Sequence, residues 1–347
     1  MSSTLKMKRM KKILILSCFI LTVCYSCSNK ELSFPNNKYT SVYFAYQSPV
    51  RTLVLGNDIF DNTLDNEHKF TIMATMGGVY TNSRDISIDV SMDPALCNNL
   101  TFGQGGSNVL ALPSNYYTLP KDMTIHIPSG SVMGGLEIQL TDDFFADPRS
   151  ITNTFVIPLR MNAVKNADSI LKGKSDLTNP DPRIVGNWTI APKNYTLYAV
   201  KYINPWHGNY LRRGVEVIKD NTGDTNIVYH TQYVETDQVC SIGTKSLSGD
   251  SLLLNGKSRT NTDMPFQLQL TFDNSGKCDI KGLSSASYTV TGNGEFVKGG
   301  DSWGNQKRDV LHLKYTIDFG ASVHTFTDTL VIRDRGVKFE TFAPFVN

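Results

Sequence analysis

Strict alternation of polar and apolar residues is the feature that most constrains the fold of this 347-residue chain. The run Asp85-Ile-Ser-Ile-Asp-Val-Ser-Met has an apolar residue at every second position, and Met123-Thr-Ile-His-Ile and Leu136-Glu-Ile-Gln-Leu repeat the pattern. A period of two puts successive side chains on opposite faces of a strand, so one face is buried and the other is wet. Turns rich in Pro and Gly separate these runs, which predicts an all-β chain.

Two modules are expected. Short strands about ten residues apart over residues 39–165 predict a β-sandwich of immunoglobulin-like type. Residues 166–182 read as a linker, in which Asp168–Lys174 is the one short helical candidate. Residues 183–347 offer about eight sequential antiparallel strands, which predicts a lipocalin-like β-barrel, with a second β-sandwich as the alternative.

The first 26 residues predict an export signal that is removed. Five basic residues between Lys6 and Lys12 precede the apolar run Ile13–Val23, which is shorter than the roughly 20 residues of a membrane-spanning helix. Ser26 precedes Cys27 and a polar segment follows, so the site resembles that of a bacterial lipoprotein whose cysteine is acylated. We expect Cys27 to be the lipid anchor and residues 27–38 to be a tether. Cleavage before Cys24 and an ordinary secretory signal are the alternatives.

Composition gives no sign of a nucleic-acid partner. The net charge is +2, and loss of the basic leader leaves the rest slightly acidic. An apolar content of 40% is ordinary for a globular protein. Cys97, Cys240 and Cys278 lack the paired spacing of a zinc site. Cys240 and Cys278 could form a disulfide or remain two buried thiols.

A family resemblance rests on four segments: Asn115-Tyr-Tyr-Thr-Leu-Pro, Met123-Thr-Ile-His-Ile-Pro-Ser-Gly-Ser, Leu136-Glu-Ile-Gln-Leu and Phe155-Val-Ile-Pro-Leu-Arg-Met. They resemble an N-terminal β-sandwich domain of unknown function in Bacteroidetes-type surface lipoproteins, sometimes found ahead of glycoside hydrolases. Trp206-x-Gly-x-Tyr resembles segments of small barrel domains in such proteins. The resemblance implies an outer-membrane, lipid-anchored protein on the cell surface that takes part in glycan utilisation. A periplasmic location is the alternative.

The candidate ligand-binding residues are aromatic and polar side chains of two segments: Trp206, His207, Asn209, Tyr210, Arg212 and Trp303. An aromatic face can stack on a sugar ring while Asn, His and Arg bond its hydroxyl groups. The alternative is structural: Trp206 closes one end of the barrel, and Arg212 or Arg213 packs over it. Trp303, in a glycine-rich polar loop, is the stronger candidate for exposure.

Catalytic and metal motifs are absent from the sequence. It has no nucleophile elbow, phosphate loop, HxH or HExxH, so we expect no catalytic residue, cofactor or metal, and we interpret Asp142, Asp143 and Asp147 as a solvated turn. The expected function is non-catalytic glycan binding on the cell surface. The alternatives are an adhesive protein that pairs through sheet edges and a glycoside hydrolase with unrecognised carboxylates among Glu216, Glu235, Asp237 and Glu295.

Overall fold

A computed structural model describes residues 39–347 and confirms the all-β class. The expected signal segment, Cys27 and the tether lie outside the described residues. Within residues 39–347, no helix is long and apolar enough to cross a bilayer. The described part of the chain has two short α-helices, α1 (Thr63–Asn66) and α2 (Asp142–Ala146).

The first module consists of two sheets around one core. Its strands are β1 (Ser41–Tyr43), β2 (Pro49–Val54), β3 (Lys69–Gly77), β4 (Ile86–Met92), β5 (Leu100–Thr101), β6 (Leu110–Ala111), β7 (Tyr117–Thr118), β8 (Thr124–Ile127), β9 (Met133–Leu140), β10 (Phe155–Lys165), β11 (Ser169–Ile170) and β12 (Tyr195–Ile203). One sheet has the order β11-β1-β3-β9-β7, and the other contains β2-β12-β10-β4-β8. Alternate residues such as Ile72, Ile88 and Ile138 are buried between the sheets, as the period-two pattern predicts.

The second module is a closed barrel. Its sheet consists of β13 (Gly208–Asp220), β14 (Gly223–Tyr229), β15 (Gln238–Thr244), β16 (Gly249–Lys257), β17 (Asp263–Phe272), β18 (Lys277–Gly282), β19 (Thr289–Trp303), β20 (Gln306–Asp318) and β21 (Val323–Asp334). β13 pairs with β21 and closes eight strands into a barrel, while β14 extends from the second half of β13. The predicted barrel is therefore confirmed over the second sandwich that was its alternative.

Two segments cross between the modules. β12, which we placed with residues 183–347, lies in the sheet of the first module because it pairs with β2 and β10. After the barrel, β22 (Glu340–Thr341) pairs with β2, and β23 (Phe345–Val346) pairs with β5. The barrel is thus inserted between two parts of the first module.

The helical expectation for residues 168–174 is wrong, because Ser169 and Ile170 of β11 pair in parallel with Ser41 and Val42. Cys240 and Cys278 are two buried free thiols. Asp142 and Asp143 lie in the first turn of α2, and Asp147 accepts hydrogen bonds from Arg149 and from the Tyr116 hydroxyl.

Candidate functional site

Trp206 belongs to the end of the barrel core. Its indole ring stacks on Phe272, with ring centroids 4.0 Å apart and planes within 7° of parallel. Its carbonyl oxygen accepts a hydrogen bond from the Tyr210 hydroxyl at 2.7 Å, and Tyr210 is fully buried. The stacking on Phe272 occupies one face of the Trp206 ring, so that face cannot stack on a sugar.

His207 and Asn209 lie where the barrel meets the first module. The Thr244 N–H donates to His207 Nδ1 at 3.1 Å, and burial, with a smaller contribution from the nearby Arg335 cation, lowers the pKa of His207 to about 4. Asn209 donates to Asp334 Oδ1 at 2.7 Å and accepts from the Ser241 hydroxyl. His207 is therefore neutral at physiological pH.

Arg212 lies inside the barrel with none of its surface exposed. Its guanidinium faces Asp328 and lies 4.1 Å from the centroid of the Tyr229 ring. The candidates in residues 206–212 thus form two groups. One lies in the barrel core (Trp206, Tyr210 and Arg212), and the other lies where the barrel meets the first module (His207 and Asn209). Of the six sequence candidates, three contact residues of the cleft described next, namely His207, Asn209 and Trp303. The other three belong to the barrel core or its interior.

A cleft of about 840 Å³ lies between the first module and the barrel. Its walls come from the loop after β2, the β19–β20 turn region and the end of β21. The lining residues are Arg51, Val54, Asn57, Asp58, Ile59, Phe60, Asp61, Asn62, Asp65, Gln306, Lys307, Arg308, Asp309, Ile332, Arg333, Asp334, Arg335, Gly336 and Val337. This volume lies within the usual range of roughly 300–1,000 Å³ for small-molecule sites.

The charges in the cleft balance, with five basic and five acidic side chains in its lining. Several are already paired: Arg51 contacts Asp65, and Asp309 accepts from the Gly299 N–H at 2.8 Å. Asp334 accepts from Asn209 and from the Gly336 N–H. A cleft with this charge balance has no electrostatic preference for a strongly anionic or cationic ligand.

The barrel side of the cleft is lined by the polar side chains of Gln306, Lys307 and Arg308. The Arg308 guanidinium lies 4.4 Å from the centroid of the Trp303 ring, and the Trp303 indole N–H is held by the Ile332 carbonyl at 3.1 Å. Within the described residues, the buried Nε of Arg308 has no hydrogen-bond partner. The Trp303 ring therefore packs against the Arg308 guanidinium and helps to hold it in place. Arg308 lines the cleft, and Trp303 does not.

The opposite wall presents two exposed apolar side chains. Ile59 is 77% exposed and Phe60 is 74% exposed, at the tip of the loop after β2. The Asn62 side-chain amide fixes this loop by donating to the Val54 and Gly56 carbonyl oxygens at 2.7 and 2.8 Å. Sequence reasoning interpreted residues 57–66 as a loop and missed its role. Adjacent Ile and Phe within an Asn- and Asp-rich loop were the available signal.

The carboxylates considered for hydrolysis lie elsewhere. Glu216 and Asp237 are buried, and neither they nor Glu235 and Glu295 line the cleft. Within residues 39–347, no group of three or more His, Cys, Asp or Glu side chains is arranged to hold a metal ion.

The comparisons with known proteins agree with the two-module organisation. A family model described as an N-terminal domain matches residues 27–168, and a domain of unknown function, DUF5627, matches residues 205–336. A crystal structure of a Bacteroides ovatus protein of unknown function is 42% identical, with a TM-score of 0.83 over 89% of this chain and 99% of that one. The chain belongs to the family of that Bacteroides ovatus protein.

Two further solved structures are much less similar to this chain. An auxiliary nutrient binding protein from Bacteroides thetaiotaomicron is 10% identical, with a TM-score of 0.37 over 82% of this chain and 90% of that one. A Bacteroides ovatus protein provisionally described as carbohydrate binding is 13% identical, with a TM-score of 0.28 over 88% of this chain and all of that one. No curated protein matches the chain.

Proposed function

We propose that this protein binds a neutral glycan in the cleft between its two modules, without catalysis there, and is held at the outer-membrane surface through acylated Cys27. The observation that carries this proposal is that the exposed Phe60 and the Arg308 side chain line one cleft, whose charges balance. The leader sequence supports the tether.

The chemistry of the two walls suits a sugar. An aromatic ring stacks on the apolar C–H face of a pyranose, while charged and amide groups bond its hydroxyls. Phe60 supplies the ring, and Arg308, Lys307 and Gln306 supply donors on the other wall. Individual affinity in such an open cleft is modest, and display of many copies on a surface raises the effective affinity.

The test is a glycan array followed by calorimetry on purified residues 39–347. We expect Phe60→Ala to lower the affinity for any bound glycan about tenfold, corresponding to loss of stacking worth roughly 1.4 kcal/mol. Arg308→Met removes the guanidinium and should lower it by a similar factor. Phe345→Ala is the matched control, since Phe345 is also exposed but lies on β23, outside the cleft lining.

Unchanged affinity in both cleft variants would place the glycan elsewhere, and an array without any bound glycan would reject the ligand class. Binding that falls steeply with added salt would contradict a neutral ligand. Mass spectrometry of the native protein tests the anchor separately, because acylation adds a diacylglycerol mass to Cys27.

A second candidate function is adhesion through a sheet edge. Among the described strands, β14 pairs on one side only, with β13, so its outer edge can accept another strand. Arg259 partly covers this edge by bonding Asp220, the Thr225 hydroxyl and the Gly223 carbonyl. The substitution Asn226→Pro removes a backbone N–H from β14, so it should abolish adhesion by this edge and leave cleft binding intact.

A further inference from the structure

Three side chains form a continuous hydrogen-bonded chain at the end of the barrel that is far from the cleft along β21. The Ser322 hydroxyl lies 2.8 Å from His324 Nε2, and His324 Nδ1 lies 2.5 Å from Glu216 Oε1. His324 and Glu216 are fully buried, whereas Ser322 is partly exposed at the β20–β21 turn. Only the serine end of this chain reaches solvent.

The direction of each hydrogen bond follows from the surroundings of Glu216. Its carboxylate also accepts from the Tyr229 hydroxyl and, at 3.1 Å, from the Lys257 N–H. Both Glu216 oxygens accept hydrogen bonds, so the short contact with Oε1 assigns the donor role to His324 Nδ1. In the neutral imidazole with this tautomer, Nε2 carries the lone pair and the Ser322 hydroxyl donates to it.

The fold is built to place this carboxylate inside the barrel. Glu216 points inward from β13, opposite Phe326 of β21, and His324 lies opposite Ile218 two positions away. A Cβ atom at Gly256 would lie 3.0 Å from Glu216 Oε1 and 3.1 Å from the Phe326 ring. The glycine therefore makes room for the acid, and burial of such a charge is costly without a full set of partners.

We propose that Ser322 is an activated nucleophile that accepts an acyl group from an ester. A hydroxyl in contact with a base, which is oriented by a third group, is the general arrangement for nucleophilic catalysis. Ser322 Oγ forms a bond to the ester carbonyl carbon while its proton passes to His324 Nε2. The C–O bond to the alcohol then breaks, and that proton goes to the departing alkoxide. Water then gives a proton to His324 Nε2 and bonds to the acyl carbon; the bond from that carbon to Ser322 Oγ breaks, the proton returns to Oγ, and the acid leaves.

In this proposal Ser322 and His324 touch the reacting atoms, and Glu216 is a positioning residue that fixes the imidazole tautomer. The site is separate from the cleft, so it goes beyond glycan binding and does not depend on it. An ester-bearing ligand is the proposed substrate class, because the alkoxide of an ester is expelled from the acyl carbon more readily than the amine of an amide.

The test uses an alkyl fluorophosphonate, in which attack by the serine oxygen breaks the P–F bond and releases fluoride. We expect one adduct per chain, located on Ser322 by peptide mass spectrometry. His324→Gln should slow labelling at least a hundredfold, the lower end of the range for loss of a general base. Ser241→Ala is the control, because Ser241 is exposed and bonds Asn209 rather than a histidine.

A second measurement keeps the test decisive if His324→Gln unfolds the barrel. Ser322→Cys places a thiol at this partly exposed position, and its alkylation by iodoacetamide should be faster than that of a free thiol, because the imidazole can take its proton. No fluorophosphonate adduct on Ser322, or a thiol of ordinary reactivity, would overturn the proposal. Phe345→Ala, outside both sites, should label like wild type. Labelling is measured without any glycan, so failure of glycan binding and failure of this site are distinguishable.

Discussion

Arg212 and Asp328 face each other inside the barrel, with Nε–Oδ1 and Nη2–Oδ2 distances of 3.0 and 3.2 Å and both side chains fully buried. The Asn255 carbonyl accepts a third bond from the guanidinium, and the Tyr315 hydroxyl donates to Asp328 at 2.7 Å. Asp328 lies opposite Gly214 in the strand register, so the space for its carboxylate exists because that position has no side chain.

Asp328→Asn should destabilise the barrel by about 3–5 kcal/mol, because it leaves the Arg212 cation buried without a counter-charge. Urea unfolding followed by near-ultraviolet circular dichroism measures this free energy. The double variant Arg212→Met with Asp328→Leu should lose less than the sum of the single losses, since it removes both charges together. Strict additivity of the two losses would show that the pair does not interact.

Gly214→Ala should destabilise the protein by about 2–3 kcal/mol. The new methyl carbon would lie 2.0 Å from Asp328 Oδ1 and 2.8 Å from the Thr327 carbonyl oxygen, so the ion pair would have to shift. The measurement is the urea midpoint at constant m-value. Gly243→Ala on β15 is the matched control, with its nearest atom at 3.7 Å, and equal losses in the two variants would contradict this account.

Arg335→Met should weaken the contact between the modules and cost about 3 kcal/mol or more, because it leaves buried carbonyl groups without a donor. The guanidinium donates to the carbonyl oxygens of Leu55, Asn57, Asn204 and His207 at 2.6 to 3.1 Å. Limited proteolysis at the 204–208 connection should accelerate together with the loss of stability.

Arg333→Met provides the comparison for this variant. Arg333 lines the same cleft but is half exposed, and its ion pair with Asp334 is long, at 3.6 Å, so we expect a change within about 0.5 kcal/mol. A protein that tolerates both substitutions equally would show that Arg335 does not join the modules.

Asp250→Asn should change how stability depends on pH. Burial raises the pKa of Asp250 from 3.8 to about 8, even though the Asn204 amide donates to its Oδ2 at 2.8 Å. The folded chain therefore holds this proton up to about pH 8, while the unfolded chain releases it near 3.8. The contribution of Asp250 to the free energy of unfolding is fully present below pH 3.8. It falls as the pH rises and is lost once the pH passes about 8.

Relative to wild type, the asparagine variant should gain stability as the pH rises from 4 to 8, because it has no proton to lose. Urea unfolding of both proteins at pH 5, 6.5 and 8 measures the difference, in which every other titrating group cancels. His207 opposes Asp250 below pH 6.5, since its depressed pKa adds stability as the pH rises. A difference between the two proteins that does not vary with pH would contradict the assignment.

The sequence predicted the strand class and the barrel because period-two patterns report directly which face of a strand is buried. The same rule fails on β13. Glu216 is fully buried while its neighbour Val215 is 38% exposed, the reverse of what hydrophobicity predicts. Closure onto β21 sets the direction of these side chains, and partners more than 100 residues away, such as His324 and Asp328, compensate the buried charges.

The candidate site was partly predictable. Trp303 was expected to be exposed, and the structure uses it to support Arg308, a role that depends on the register between β19 and β20. Phe60 and Arg308 lie 248 positions apart in the chain and share one cleft, so no local pattern could connect them. The crossing of β12 into the first module is equally non-local, because its burial could be satisfied in either module.

The return of the chain to its first module has a consequence for how the protein is made. Lys201 on β12 and Glu340 on β22 form an ion pair at 3.1 Å, which joins the strand that leads into the barrel to the one that leads out of it. Glu340 and Phe345 follow all the barrel strands in the chain, so β2 and β5 cannot gain these partners until the barrel has been synthesised. The edge of β2 is therefore open to mispairing during that interval.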